Sequence, residues 1–258
     1  MFEMVKWYLD LVTDLGSVLV GYSVHCRLGP AGFRYASLLH APPDQPVIER
    51  TTLRGATAPK LEDDRLRWRV PRLRFDGAWQ RLGAPFAHTL LDAEPGRIEW
   101  HCHLPRARVT ARFGDTIVAG MGYAEQLRVT CPPWQLPFRT LRWGRFLSAR
   151  RDLVWIEWAR DLERRWIWLD GRAEPAATLD ERGISGLSNR QTLTFEDRRV
   201  VRDRRVLDTA GRILPSAMQD QMGPLAGMRE QKWLTKTALS QDGIIVDRGW
   251  TLHEEVRW

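Results

Sequence analysis

The stretch that decides the fold runs from Thr116 to Thr130, TIVAGMGYAEQLRVT. Successive residues of a β-strand point to opposite faces, so a period of two sorts it. One face carries Ile117, Ala119, Met121, Tyr123, Glu125, Leu127 and Val129; the other carries Thr116, Val118, Gly120, Gly122, Ala124, Gln126 and Arg128. Glu125 therefore shares its side with an apolar set. A charged group in such a place is costly unless it is paired or takes up a proton. The stretch predicts a strand with a carboxyl group on its oily face.

The same alternation recurs outward along the chain. Val18, Val20, Tyr22, Val24, Cys26 and Leu28 form one face of a long strand whose other face holds Ser23, His25 and Arg27. Further strands are expected over 33–40, 47–54, 65–75, 97–104, 107–113, 139–148, 152–159, 164–169, 191–207, 229–240 and 243–258. Turn chemistry separates them at LGPAG, APPDQP, EPG, FGD, CPPW, LDG and QDG. No long stretch has a helical period, and the only short helices expected lie around 213–222. Strands that follow one another at this spacing predict an antiparallel, all-β barrel or sandwich rather than βαβ units. A weak joint near 113–116 divides the chain into domains 1–114 and 115–258.

Composition narrows the function classes. The chain has 258 residues, enough for one large β domain or two small ones, and its 13 Trp are far above average. No window of apolar residues is long enough for a spanning helix. The opening MFEMVKWYLDLVTDLG carries Glu3, Asp10 and Asp14 and has no small-residue cleavage site, so it does not read as a signal peptide. Cys26, Cys102 and Cys131 lack metal-ligand spacing, and their odd number argues against a disulfide framework. Reduced, buried cysteines of a cytoplasmic protein are the expectation. The net charge of +7 comes from arginines spread along alternating strands, such as RLRWRVPRLRF at 65–75, and from mixed runs such as EDRRVVRDRRV at 196–206. Nucleic-acid binding needs a concentrated basic patch and a recognisable module, and neither occurs. Peripheral contact with an anionic membrane is compatible with this surface.

Several residue sets could carry chemistry. Glu125 beside Tyr123 reads in two ways. A carboxylic acid kept neutral by apolar surroundings could protonate an alkene, with Trp143 and Trp155 as the aromatic wall for the resulting cation. Alternatively, Arg145, which shares an apolar face with Leu141, Trp143 and Leu147, could meet Glu125 and hold it ionised as a clasp, and paired buried charges are the commoner case. The last strand repeats the pattern, with Arg248, Trp250 and Glu254 among Ile244, Val246, Leu252, Val256 and Trp258. His101, His103 and Glu99 share one face of IEWHCHL, opposite Ile98, Trp100, Cys102 and Leu104. Such a pair of histidines can ligate zinc, with Glu99 or His25 as a third ligand, but no spacing identifies the rest of a set, and no metal site is expected. Nucleophile elbows, dinucleotide loops and phosphate-cradling loops are absent, so no cofactor is expected.

Five blocks, VKWYLDLVTDLG, GYAEQL, PPWQLPFRTLRWGRF, LVWIEW and DRGWTLHEEVRW, together resemble the hydroxyneurosporene synthase family, the carotenoid 1,2-hydratases, and the wider group of lipocalin-like AttH-type proteins. That resemblance implies two lipocalin-like β-barrel domains packed together and an apolar ligand in or between them. The family's hydratases place an aspartate shortly after a tyrosine in a Gly-Tyr strand; here Gly122-Tyr123-Ala124-Glu125 has glutamate instead. Together these readings predict a cofactor-free hydratase, cyclase or isomerase acting by proton transfer on a small lipophilic, isoprenoid or polyketide-like, substrate in a barrel pocket. Glu125 and Tyr123 are its expected catalytic pair, and Trp143, Trp155, Arg145, Glu254 and Trp250 line the substrate. A lipophilic-ligand carrier with the same pocket and a Trp-filled interaction module are the two rivals.

Overall fold

The structure is a computed structural model and describes residues 1–94, 96–205 and 227–258. The short helices expected around 213–222 lie outside the described residues. Nineteen strands and three short 3-10 turns make up the regular structure of those residues, and the class is all-β. In chain order the first ten strands are β1 (Phe2–Val12), β2 (Val18–Leu28), β3 (Ala31–Ala41), β4 (Ile48–Thr52), β5 (Lys60–Glu62), β6 (Arg65–Val70), β7 (Phe75–Arg81), β8 (Phe86–Ala93), β9 (Gly96–Phe113) and β10 (Thr116–Val129). The other nine are β11 (Phe138–Leu147), β12 (Asp152–Asp161), β13 (Arg164–Leu169), β14 (Arg172–Ala173), β15 (Thr178–Asp180), β16 (Gly183–Leu187), β17 (Gln191–Arg205), β18 (Arg229–Gln241) and β19 (Ile244–Arg257).

The chain divides into two units, Met1–Pro132 and Pro133–Trp258, each built on one antiparallel sheet. In the first the strand order is β4-β3-β2-β1-β10-β9-β7-β6-β5, with β8 also paired to β9. In the second it is β14-β13-β12-β11-β19-β18-β17-β16-β15. The joint expected at 114/115 is therefore displaced. Gly114 is only the turn of a hairpin, and β10 pairs with β9 on one side and β1 on the other. The division falls between Pro132 and Pro133, whose missing N–H groups cannot continue a ladder.

Each sheet curls on itself. In the first unit Leu9 and Leu11 of β1, Leu19 of β2 and Leu38 of β3 share one core with Trp68 of β6 and Trp79 of β7, strands from the far half of the sheet order. The approach is close enough that a Cβ on Gly21 would lie 2.4 Å from the Trp68 ring. In the second unit Phe146, Trp155 and Ile167 close in the same way on Ile184, Leu193 and Leu239. Each fully buried Trp or Leu side chain contributes roughly 2–3 kcal/mol.

β1 is a central strand that alternation does not disclose. Both of its faces are buried between residues 7 and 12, so its sequence is a near-continuous apolar run broken by Asp10. The expected strands 97–104 and 107–113 are one long strand, β9. The tips of β10 and β19 stand in solvent: Ile117 is 59% exposed and Ile244 71%. Among the described residues no helix is long and apolar enough to cross a membrane.

Candidate active site

Register decides what Glu125 meets. Its neighbour Ala124 is opposite Leu9 and belongs to the core inside the first curled sheet. Glu125 itself is opposite Tyr8, and Tyr123 is opposite Asp10, so these side chains occupy the other face. The expected pocket in the barrel interior is thus corrected: Trp68, Trp79 and their neighbours occupy the interior around Ala124, and the carboxyl group lies on the reverse side of the sheet. That side is buried as well, with Asp10 and Tyr123 at 0% and Glu125 at 8% exposure.

Two donors converge on one carboxyl oxygen. The Trp100 indole N–H donates to Glu125 Oε2 at 2.5 Å, and the Tyr123 hydroxyl donates to the same oxygen at 2.6 Å. Burial pushes the Tyr123 hydroxyl well above the ordinary value of 10, and the neighbouring Cys102 and Glu125 add to the rise. Tyr123 is therefore a neutral donor at any physiological pH. A row of rings flanks the acid: Tyr8 meets Tyr123 edge-on with centroids 6.1 Å apart, and Tyr22 meets Tyr8 at 5.5 Å. Phe86 packs against Trp100 at 5.3 Å and fixes the indole.

Trp100 and Cys102 reach this face through irregular pairing. Counting outward from the Gly114 turn in straight register would set Leu104 opposite Glu125. The ladder shifts between Gly122 and Ala124 and again between Ala124 and Glu125, so Cys102 stands there instead. Pro105, which has no N–H to give, lies inside this region.

The remaining expected site residues lie in the second unit and divide between its two faces. Trp155 is part of the interior core, together with Phe146 and Ile167. Trp143 is opposite Glu254, Arg145 opposite Leu252 and Leu147 opposite Trp250, so these six share the reverse face. Trp143 and Trp155 therefore do not form one wall, a correction that follows from the pairing of Trp155 with Gly144. Arg145 is fully buried and donates from Nη1 to the Trp250 carbonyl at 3.0 Å. Glu254 forms its ion pair with Lys232, a fully buried lysine absent from the expected set, whose ammonium also lies 5.6 Å from the Trp143 ring centre. Arg248, expected to face inward, instead pairs at the surface with Glu196 at 2.6 Å.

The histidines show no metal geometry. Among the described residues no group of three or more His, Cys, Asp or Glu side chains is arranged to hold an ion. Glu99 pairs with Arg97 at 3.3 Å, and the His103 ring stacks on Trp7 and on His101. His253 lies within the second unit, stacked on Phe195 and Trp233 with Nε2 3.1 Å from the Thr235 hydroxyl. Cys26, Cys102 and Cys131 are buried, as expected.

No protein-family model matches the chain, and no curated protein matches it in sequence. Solved structures do match, over almost the whole chain. The crystal structure of CghA with Sch210972 superposes with a TM-score of 0.59 at 12% identity, covering 99% of this chain and 88% of CghA. A putative AttH from Nitrosomonas europaea gives 0.55 at 14% identity, covering 99% and 91%. Kievitone hydratase from Nectria haematococca gives 0.53 at 11% identity, covering 98% and 88%. At such identities the likeness shows the fold alone: two curled antiparallel β units, consistent with lipocalin-like barrel domains.

Proposed function

We propose that this protein is an enzyme that transfers a proton to a lipophilic substrate, as a hydratase, cyclase or isomerase does, with Glu125 as the acid. The observation that carries the reading is the convergence of two donors on Glu125 Oε2. A proton held by this carboxyl group then sits on Oε1, directed away from Trp100 and Tyr123. When it passes to an alkene carbon, negative charge develops on the carboxylate, and both hydrogen bonds strengthen just as the reaction needs them. A hydrogen bond to a charged group is worth about 1.5–3 kcal/mol, more than the same bond to a neutral acid.

The cation left on the substrate requires electron-rich faces. Tyr8, Tyr22 and Tyr123 offer them on the acid's own face, each worth roughly 0.5–2 kcal/mol to a nearby cation. Capture by water, with return of a proton to Glu125, is hydration; attack by a second double bond, followed by loss of a proton from the new cation to Glu125, is cyclisation; loss of a different proton to Glu125 is isomerisation. The fold shared with a protein named a hydratase supports the class. An isoprenoid or polyketide-like substrate fits a buried, ring-lined face that carries the carboxyl groups of Glu125 and Asp10.

The test begins with native mass spectrometry of protein from its own host, followed by extraction and identification of the retained molecule. Glu125→Gln preserves the acceptor and the volume, so binding should persist while turnover falls at least about 100-fold. Turnover unchanged in the variant would place the acid elsewhere. A retained ligand that the native protein never converts would support the carrier reading instead, and a protein that takes up no apolar molecule would support the interaction module.

A further inference from the structure

We propose that Arg81, His103 and Trp7 form a second binding site, at one end of the first unit's interior, for a small oxyanion, the carboxylate or phosphate group of a ligand. This goes beyond the acid at Glu125, because the site uses the opposite face of the sheet. His101 is opposite Gln126, and Gln126 is opposite Trp7, a member of the interior core. The irregular pairing that brings Cys102 opposite Glu125 leaves His103 as an extra residue in β9, and its ring lies on Trp7 with centroids 4.9 Å apart and on His101 at 5.8 Å. Arg81 continues the face of β7 that Phe75 and Trp79 present to the core.

Two buried nitrogens at this end, Arg81 Nε and His103 Nε2, have no hydrogen-bond partner among the described residues. Buried polar groups are satisfied in native proteins, so such orphans point to a group from outside the chain. Its charge follows from the neighbours. Arg81 and His101 are the charged groups that act on His103, and both make a positive charge there less favourable. The nearby acids are engaged elsewhere, Glu99 with Arg97 at 3.3 Å and Asp64 with the Gln80 amide at 2.6 Å. A cation would meet the Arg81 guanidinium, whereas an oxyanion can accept from Arg81 Nε–H and from the Nε2–H tautomer of His103 together.

The test follows the His103 ring signals of the full, nitrogen-labelled chain by NMR, with sodium acetate and inorganic phosphate added separately at constant ionic strength. The expected result is a saturable shift with at least one anion, and a rise of the His103 pKa from its starting value of about 4 by roughly one unit, as a bound negative charge requires. Saturation by acetate alone identifies a carboxylate group, and by phosphate alone a phosphate group. In Arg81→Gln the saturable shift should disappear. Signals that do not saturate with either anion, or that respond to zinc but not to anions, would overturn the proposal. Both readings come from the unaltered protein, so the proposal stays decidable if the variant fails to fold.

Discussion

Trp100 and Tyr123 donate to the same oxygen of Glu125, yet they come from different strands and can be removed one at a time. Trp100→Phe and Tyr123→Phe each keep a ring and lose one donor. Each should slow the chemical step about 10–100-fold, the loss of one hydrogen bond to a charged group, with ligand affinity nearly unchanged. Single-turnover rates set beside equilibrium binding will separate the two effects. The double variant should cost less than the sum, since both act on one atom. Tyr123 and Glu125 are legible from a period of two. Trp100 is not, because only the shifted ladder of β9 and β10 brings its indole to the acid.

At the scale of elements, β10 reaches its place through close approach to β1. A Cβ on Gly122 would stand 2.2 Å from the Asp10 carbonyl oxygen, and one on Gly120 2.2 Å from that of Val12. Gly122→Ala must push the two strands apart, and should destabilise the fold by about 1–3 kcal/mol while displacing Tyr123 and Glu125. Gly32→Ala is the control: its nearest neighbours are 3.4 Å away, so the change should stay within about 0.5 kcal/mol. Chemical denaturation of both variants measures this difference. The turn at Gly114 and the alternation on either side of it are legible, but in the sequence they read as a joint between domains, and only the register shows β9 and β10 to be a hairpin. The pairing of β10 with β1, more than a hundred residues earlier, leaves no local trace.

For the molecule as a whole, two imidazoles make stability depend on acid. Burial pushes His253 down to about 3, helped by the positive charges of Arg198 and Lys232, and pushes His103 down to about 4, helped by His101 and Arg81. Their ordinary value is 6.5, so below that pH the unfolded chain binds protons that the folded chain refuses. Stability therefore falls as pH drops from about 6.5 towards 4, by up to about 1.4 kcal/mol per pH unit for His253. Glu255 also lies below its ordinary 4.5; burial opposes this, but hydrogen bonds from Arg142 and Arg257 outweigh it, so its contribution is lost only at still lower pH. Denaturation midpoints should thus decline between pH 6.5 and 5, and His253→Gln should flatten that slope. A slope unchanged in the variant would assign the acid sensitivity to other groups.

The amino-acid sequence by itself determined the class of structure. A two-residue period sets which side chains share a face, and glycine and proline at the turns set where strands end, both local effects of backbone geometry. It also determined that Glu125 and Tyr123 lie on one face, and that Trp143, Arg145, Trp250 and Glu254 lie on apolar faces. The tertiary structure decided which of a sheet's two buried faces is its interior. It put Trp155 inside and Trp143 on the reverse, gave Glu254 to Lys232, and moved the boundary between units to Pro132. Those outcomes depend on pairing between distant strands and on two shifts in one ladder. Each such shift reverses which residue faces which, and the energy that selects it is spread over the whole sheet rather than held in any short segment.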